Sequence, residues 1–229
     1  MKKLQNIFSL LLPTRTKSVL AFLFAALVLV CHGQTMEETR YLALGDSFTI
    51  GTGTTPERSF PAMLVAQWKH TRRKVALTNP AVNGYTTDDL IARELPLLSD
   101  VKPALVTILI GANDIVRDAS VGRYRSQLKT IYAALRDAGV SASALVALPQ
   151  PDWSLSPAAT EFGRPADLRR TIEHFNAIAR EEAETAGGRY IDLWPLMRRQ
   201  AEAHMLASDG LHPSAKAYAE WAVALRDLL

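Results

Sequence analysis

Cysteine is almost missing from this chain of 229 residues. Its single copy, Cys31, cannot close an intrachain disulfide, so the fold owes nothing to such bridges. No His, Cys and Asp residues cluster at zinc-ligand spacing, and no metal or cofactor is expected. Gly51-Thr52-Gly53-Thr54 is glycine-rich, but no lysine follows at phosphate-loop spacing and no dinucleotide fingerprint is completed. Strong charge is missing too. The net charge of +3 comes from Lys2, Lys3, Arg15 and Lys17, four bases in residues 1–33 with no acid among them; without them it becomes −1. The remainder gives no electrostatic reason to expect nucleic acid or an anionic membrane as partner. The apolar run Ser18 to Val30 has 13 residues, short of the about 20 that span a membrane.

What is present begins with that leader. Basic residues, an apolar run and then small or polar residues read as an export signal over 1–33, with cleavage after Gly33 and an exported mature chain. Lipid attachment at Cys31 ranks second, because Val30 precedes it where a small residue is usual. An uncleaved anchor, helped by Ile7 to Leu12, ranks third. Residues 34–229 suffice for one domain with a substantial core, and no stable membrane insertion is expected of it.

Beyond the leader, strand-like and helix-like segments alternate. Strands are expected at Tyr41–Leu44, Lys74–Thr78, Ala104–Ile110, Ser143–Leu148 and Tyr190–Leu193. Helices are expected at Ser59–His70, Thr86–Leu98 (bent or broken at Pro96), Gly122–Ala138, Pro165–Ala186 and Ser214–Leu229, with Ser214 as N-cap. Ala104–Ile110 is an apolar run interrupted only by Thr107, as a strand buried on both faces requires. This order predicts a parallel sheet covered by helices on both sides, with ligands at the carboxyl ends of its strands.

Four segments, in order, carry chemistry: Gly45-Asp46-Ser47-Phe48, Asn83-Gly84, Gly111-Ala112-Asn113-Asp114 and Asp209-Gly210-Leu211-His212-Pro213. Acyl transfer needs a nucleophile, a base, an orienter for the base and donors for an oxyanion. Ser47 offers the hydroxyl. His212 offers an imidazole with a pKa range suited to a base at neutral pH, and Asp209 a carboxylate to fix its tautomer. The Ser47 and Gly84 N–H groups and the Asn113 carboxamide are the candidate donors. Taken singly, Gly-Asp-Ser is also a helix-capping turn and Asn-Gly a common turn dipeptide. Asp46 and Asp114 are assigned to bracing the loops, and Asp88-Asp89 to helix N-terminal charge rather than a metal pair. His70, His174 and His204 sit among charged residues and read as solvated faces.

At these residues the chain resembles the GDSL, or SGNH, hydrolase superfamily, whose Ser, Gly, Asn and His blocks are matched by Ser47, Gly84, Asn113 and His212. Asn79 through Gly84 matches the second block, and the first has Phe48 where the family name has Leu. The resemblance runs from about Tyr41 to the C-terminus. It implies a three-layer α/β/α, flavodoxin-like fold and a serine ester hydrolase acting through an acyl-enzyme on lipid or short acyl esters. The nearest likeness is to bacterial lysophospholipase/thioesterase-like esterases. A carbohydrate O-deacetylase is the enzymatic alternative, and a non-catalytic ligand-binding domain the other. The proline-rich segment Leu148–Pro165 follows a predicted strand. There Pro149, Pro151, Trp153 and Leu155 either line a substrate pocket or pack a rigid connection on the core, and Trp153 and Leu155 are the candidate substrate contacts.

Overall fold

The computed structural model describes residues 38–69 and 73–229; the leader with Cys31, and His70, lie outside them. The five strands are β1 (Thr39–Gly45), β2 (Val75–Thr78), β3 (Leu105–Leu109), β4 (Leu145–Ala147) and β5 (Arg189–Tyr190). They form one parallel sheet in the order β2-β1-β3-β4-β5. Parallel neighbours need crossovers, and the helices between the strands supply them.

Side-chain alternation along β1 feeds two cores. Tyr41 and Ala43 face one, shared with Phe60 and Leu64 of α2 (Phe60–Lys69) and Trp221 of α8 (Ala215–Arg226). Leu42 and Leu44 face the other, shared with Leu128 and Ile131 of α5 (Val121–Asp137) and Phe175 of α6 (Pro165–Thr185). The result is the expected three-layer α/β/α sandwich with its sheet in the middle. Every residue of β3 is buried, as its nearly continuous apolar run requires. The one polar side chain there, Thr107, bonds the Tyr41 hydroxyl at 2.8 Å. Trp221 is 1% exposed between Phe60 and Tyr218, and its indole N–H donates to Gln200. Truncating it to alanine costs about 3–5 kcal/mol.

Local chemistry sets the element ends. Ser214 caps α8 by accepting the Ala217 N–H. Thr86 and Asp89 form a reciprocal capping box, so Asp89 satisfies a helix start. That helix, α3, runs over 87–101 and differs from a simple bend at Pro96. Its turns are α (Thr87–Asp89), π (Leu90–Glu94), 3₁₀ (Leu95–Leu97) and α again (Leu98–Val101). Proline cannot donate an N–H, so Pro96 sits in the tighter 3₁₀ turn and the π turn absorbs the spare residue before it. The expected strand Tyr190–Leu193 stops at Tyr190. Asp192 accepts the Trp194 N–H and starts a helix that periodicity had not revealed, α7 (Trp194–Glu202).

Candidate active site

The sheet order reverses between β1 and β3, and a crevice opens at their carboxyl ends. β1 ends at Gly45, and the short helix α1 (Ser47–Ile50) begins at once. A Cβ on Gly45 would lie 2.2 Å from Thr49 Oγ1 and 2.3 Å from the Leu109 carbonyl, so only glycine lets this turn close against β3. Asp46 caps α1, its Oδ1 accepting the Phe48 N–H at 3.0 Å. This leaves Ser47 as the first residue of the helix, at the crevice.

β3 delivers the third block in the same way. Gly111 precedes α4 (Ala112–Val116), whose second residue is Asn113. The Asn113 Nδ2 donates one hydrogen to the Tyr85 carbonyl at 2.9 Å, which fixes the amide plane and leaves its second hydrogen free. Asp114 accepts the Thr87 N–H at 3.0 Å and the Thr87 hydroxyl, tying α4 to the start of α3. Gly84 adopts φ +87, a left-handed value suited to glycine, and its carbonyl accepts from Arg117 Nη2 at 2.9 Å. Among the described residues, neither the Ser47 nor the Gly84 N–H has a hydrogen-bond acceptor. Asn79 anchors the second block to the first, donating to the Thr49 carbonyl at 3.0 Å.

The fourth block folds as one turn. Asp209 Oδ1 accepts the N–H groups of Leu211 (2.9 Å) and His212 (3.0 Å), while Oδ2 lies 2.8 Å from His212 Nδ1. A carboxylate only accepts, so the proton is on Nδ1 and the Nε2 lone pair points away from the pair. Burial pushes the Asp209 carboxyl up, but these N–H groups and the imidazole outweigh it and hold it below the ordinary carboxylate range. The ring packs against Phe48 with centroids 5.4 Å apart.

Ser47, Asn83, Asn113 and His212 share one cavity of about 110 Å³. Its apolar wall is Phe48, Ala112, Val116, Trp153, Phe162 and Leu211. Trp153 and Phe162 meet edge to face with ring centroids 5.5 Å apart. No hydrogen bond joins the Ser47 hydroxyl to His212, a contact that often tightens only around substrate. Gly84 and Leu155 do not line this cavity; Gly84 stands beside Asn83, and Leu155 is half-buried in the turn Trp153–Leu155. Larger clefts beside Arg180 and Tyr190 (about 250 Å³) and beside Lys129 and Glu182 (about 270 Å³) contain neither Ser47 nor His212.

Three acids lie buried under the crevice. Burial pushes Asp46 up to about 7; the Phe48 N–H opposes this, and the charge of Asp114 adds to it. Burial likewise pushes Glu94 up to about 8 against the Gly45 N–H, and raises Asp114 against its Thr87 bonds. Glu94 was not among the sequence candidates. Its signal was available, because Leu90, Glu94 and Leu98 stand at i, i+4 and i+8, placing an acid on an apolar stripe. Phe162 and Val116 were also missed as pocket residues; nothing in their local pattern distinguishes them from surface apolar residues.

The GDSL-like Lipase/Acylhydrolase family matches residues 43–220. Over 102 residues the chain is 31% identical to an arylesterase of Vibrio mimicus, covering 44% of this chain and 51% of that protein. The chain thus spans about half the length of this relative. It is 26% identical over 208 residues to thioesterase 1/protease 1/lysophospholipase L1 of Escherichia coli, covering 88% of each. Among solved structures, an acetyl xylan esterase from Geobacillus stearothermophilus shares the fold, with a TM-score of 0.66 at 21% identity over 82% of this chain and 93% of that one.

Proposed function

The chain belongs to the GDSL-like lipase/acylhydrolase family, and from that premise we propose that its domain, 34–229, is a serine ester hydrolase in which Ser47 is the nucleophile and His212 the base. One observation carries this reading: the Asp209–His212 pair, Ser47 and Asn113 converge on a single cavity at the sheet's crevice. His212 Nε2 takes the Ser47 proton as Oγ adds to the ester carbonyl carbon. The tetrahedral oxyanion accepts from the Ser47 and Gly84 N–H groups and from Asn113 Nδ2. Collapse expels the alcohol, which takes the proton from His212. Water, giving its proton to the same imidazole, then attacks the acyl-enzyme, and the acid leaves as Ser47 Oγ takes that proton back from His212. Asp209 holds the tautomer and stabilises the imidazolium that forms twice per cycle. The N–H groups of Ser47 and Gly84 suit the oxyanion role, since no other acceptor among the described residues occupies them.

The substrate class follows from the wall. Among the large apolar residues exposed in the described chain, Val82, Val116 and Phe162 stand at or beside this cavity. That rim favours an apolar acyl group over the polyhydroxyl surface of a carbohydrate, so acyl esters come before O-acetyl sugars as substrate. Trp153 covers the acyl chain, and Leu155 supports its turn from behind. No described helix is long and apolar enough to cross a membrane. Export rests on the pattern of the leader 1–33, and N-terminal sequencing of the mature protein would find its start near Gln34, or a lipid-modified Cys31 if the second reading holds. The function itself is tested with a fluorophosphonate probe and a panel of p-nitrophenyl esters and acetylated sugars. Labelling at Ser47 with ester turnover is expected; a folded chain that is neither labelled nor active is a binding domain.

A further inference from the structure

Glu94 and Asp46 lie under the Ser47 turn, and the acyl-transfer steps use neither. Glu94, 1% exposed, is the last residue of the π turn. Its Oε2 accepts the Gly45 N–H at 3.0 Å, two residues before Ser47, while Oε1 has no hydrogen-bond partner. Asp46 is fully buried; Oδ1 holds the Phe48 N–H and Oδ2 makes no well-formed hydrogen bond. The two carboxyls repel each other.

A buried carboxylate with an unsatisfied oxygen is costly, and a second charge beside it costs more. Among the described residues, no cation relieves the pair. On α5, Arg123 is committed to Asp88, and Arg93 and Arg117 pair with Asp89. The other titratable groups acting on Asp46 are Asp114, Tyr124 and Tyr218, the tyrosines held neutral by burial. A protonated Glu94 removes one charge and still accepts the Gly45 N–H through its carbonyl oxygen.

We propose that Glu94 is a positioning residue for Ser47, holding the Gly45 peptide through a carboxyl whose proton keeps the turn in shape. The inference rests on Ser47 being the nucleophile. Ionising Glu94 sets its charge against Asp46, the residue that caps α1, and the serine at the head of α1 moves with the cap. Glu94 itself does not line the substrate cavity, so kcat rather than KM responds.

Because burial raises Glu94 to about 8, the wild-type rate falls as pH rises through that value. Stability falls over the interval from the ordinary glutamate value up to about 8, since the unfolded chain releases this proton first and the folded chain retains it. The test compares Glu94→Leu and Glu94→Gln with wild type in the full chain. It reads kcat and KM for p-nitrophenyl butyrate against pH, the rate of fluorophosphonate labelling at Ser47, and thermal midpoints. Leucine should lower kcat and the labelling rate at least tenfold with KM within twofold. Glutamine, a neutral mimic of the protonated acid, should restore most of that loss at pH 6.5 and lack the alkaline fall. A folded leucine variant with wild-type kcat, or a glutamine variant that keeps the alkaline fall, overturns the proposal. If leucine prevents folding, the glutamine profile alone decides. A wild-type chain that escapes labelling refutes the nucleophile itself, an outcome separate from any difference between the variants.

Discussion

Asp209 and His212 are three residues apart and hold each other inside one turn, whereas the Ser47 turn is held by groups drawn from distant parts of the chain. On the base side, a single carboxylate satisfies two backbone N–H groups and the imidazole. On the nucleophile side, Gly45 leans on Glu94, Thr49 is bonded by Asn79, Asn113 by Tyr85, and Asp114 by Thr87. The base side is also more open, with the Asp209 side chain 37% exposed while Asp46 is fully buried. The contrast means that substitutions in the Asp209–His212 turn report on chemistry almost alone. Substitutions around Ser47 mix chemistry with the packing at the carboxyl ends of β1 and β3.

The strongest way to break that contrast is to remove the two proposed reacting groups. Ser47→Ala and His212→Ala should each lower kcat/KM by about 10⁴-fold or more, with a thermal midpoint close to wild type in calorimetry. A folded variant that keeps a substantial part of its activity would dismiss the assignment. Asp209→Asn should retain more activity than either, with a loss of about 10²–10⁴-fold, because an orienter is less essential than the base it orients. Loss of folding in this variant would show that the turn is not self-contained.

Asn113→Ala should lower kcat by about 10²–10³-fold with little change in KM, since its donor is used mainly as charge develops on the oxygen. A rise in KM with intact kcat would make it a ground-state contact instead. Thr87→Val sharpens the other half of the comparison. It removes the hydroxyl that serves the buried Asp114, and stability should fall by about 1–3 kcal/mol in denaturant unfolding, with activity reduced only where folding is. The smallest effect belongs to Trp153→Ala. Burying each methylene is worth about 0.8 kcal/mol, or roughly fourfold, so kcat/KM should drop more steeply for longer acyl esters than for acetate esters. Equal losses along the series would make Trp153 a packing residue of the Leu148–Pro165 segment.

The same contrast separates what could be read in advance from what could not. Strand β3 was legible because a nearly continuous apolar run between Pro103 and Gly111 has few other uses, and the Ser214 cap because its partner is three residues away. Helix α7 was not, since its apolar residues Trp194, Leu196 and Met197 follow directly on the strand-like segment that ends at Leu193, and the Asp192 side chain marks where the helix starts. The turn types inside α3 were hidden for a related reason. Pro96 announces a disturbance, but whether the chain kinks, tightens or widens depends on what packs against it.

By itself, the sequence determined the alternation of strands and helices, the four blocks, and the local Asp209–His212 turn, because each depends on interactions within a few residues. The tertiary structure decided which distant groups meet: that Phe162 and Val116 wall the cavity, that Asn83 and not Gly84 lines it, and that Glu94 supports the peptide before Ser47. The Gly45–Glu94 contact joins residues 49 positions apart, and the cavity gathers Phe162 and Ser47 from still farther apart along the chain. These contacts exist because a parallel sheet brings the ends of β1 and β3 together, and no local propensity encodes that distance.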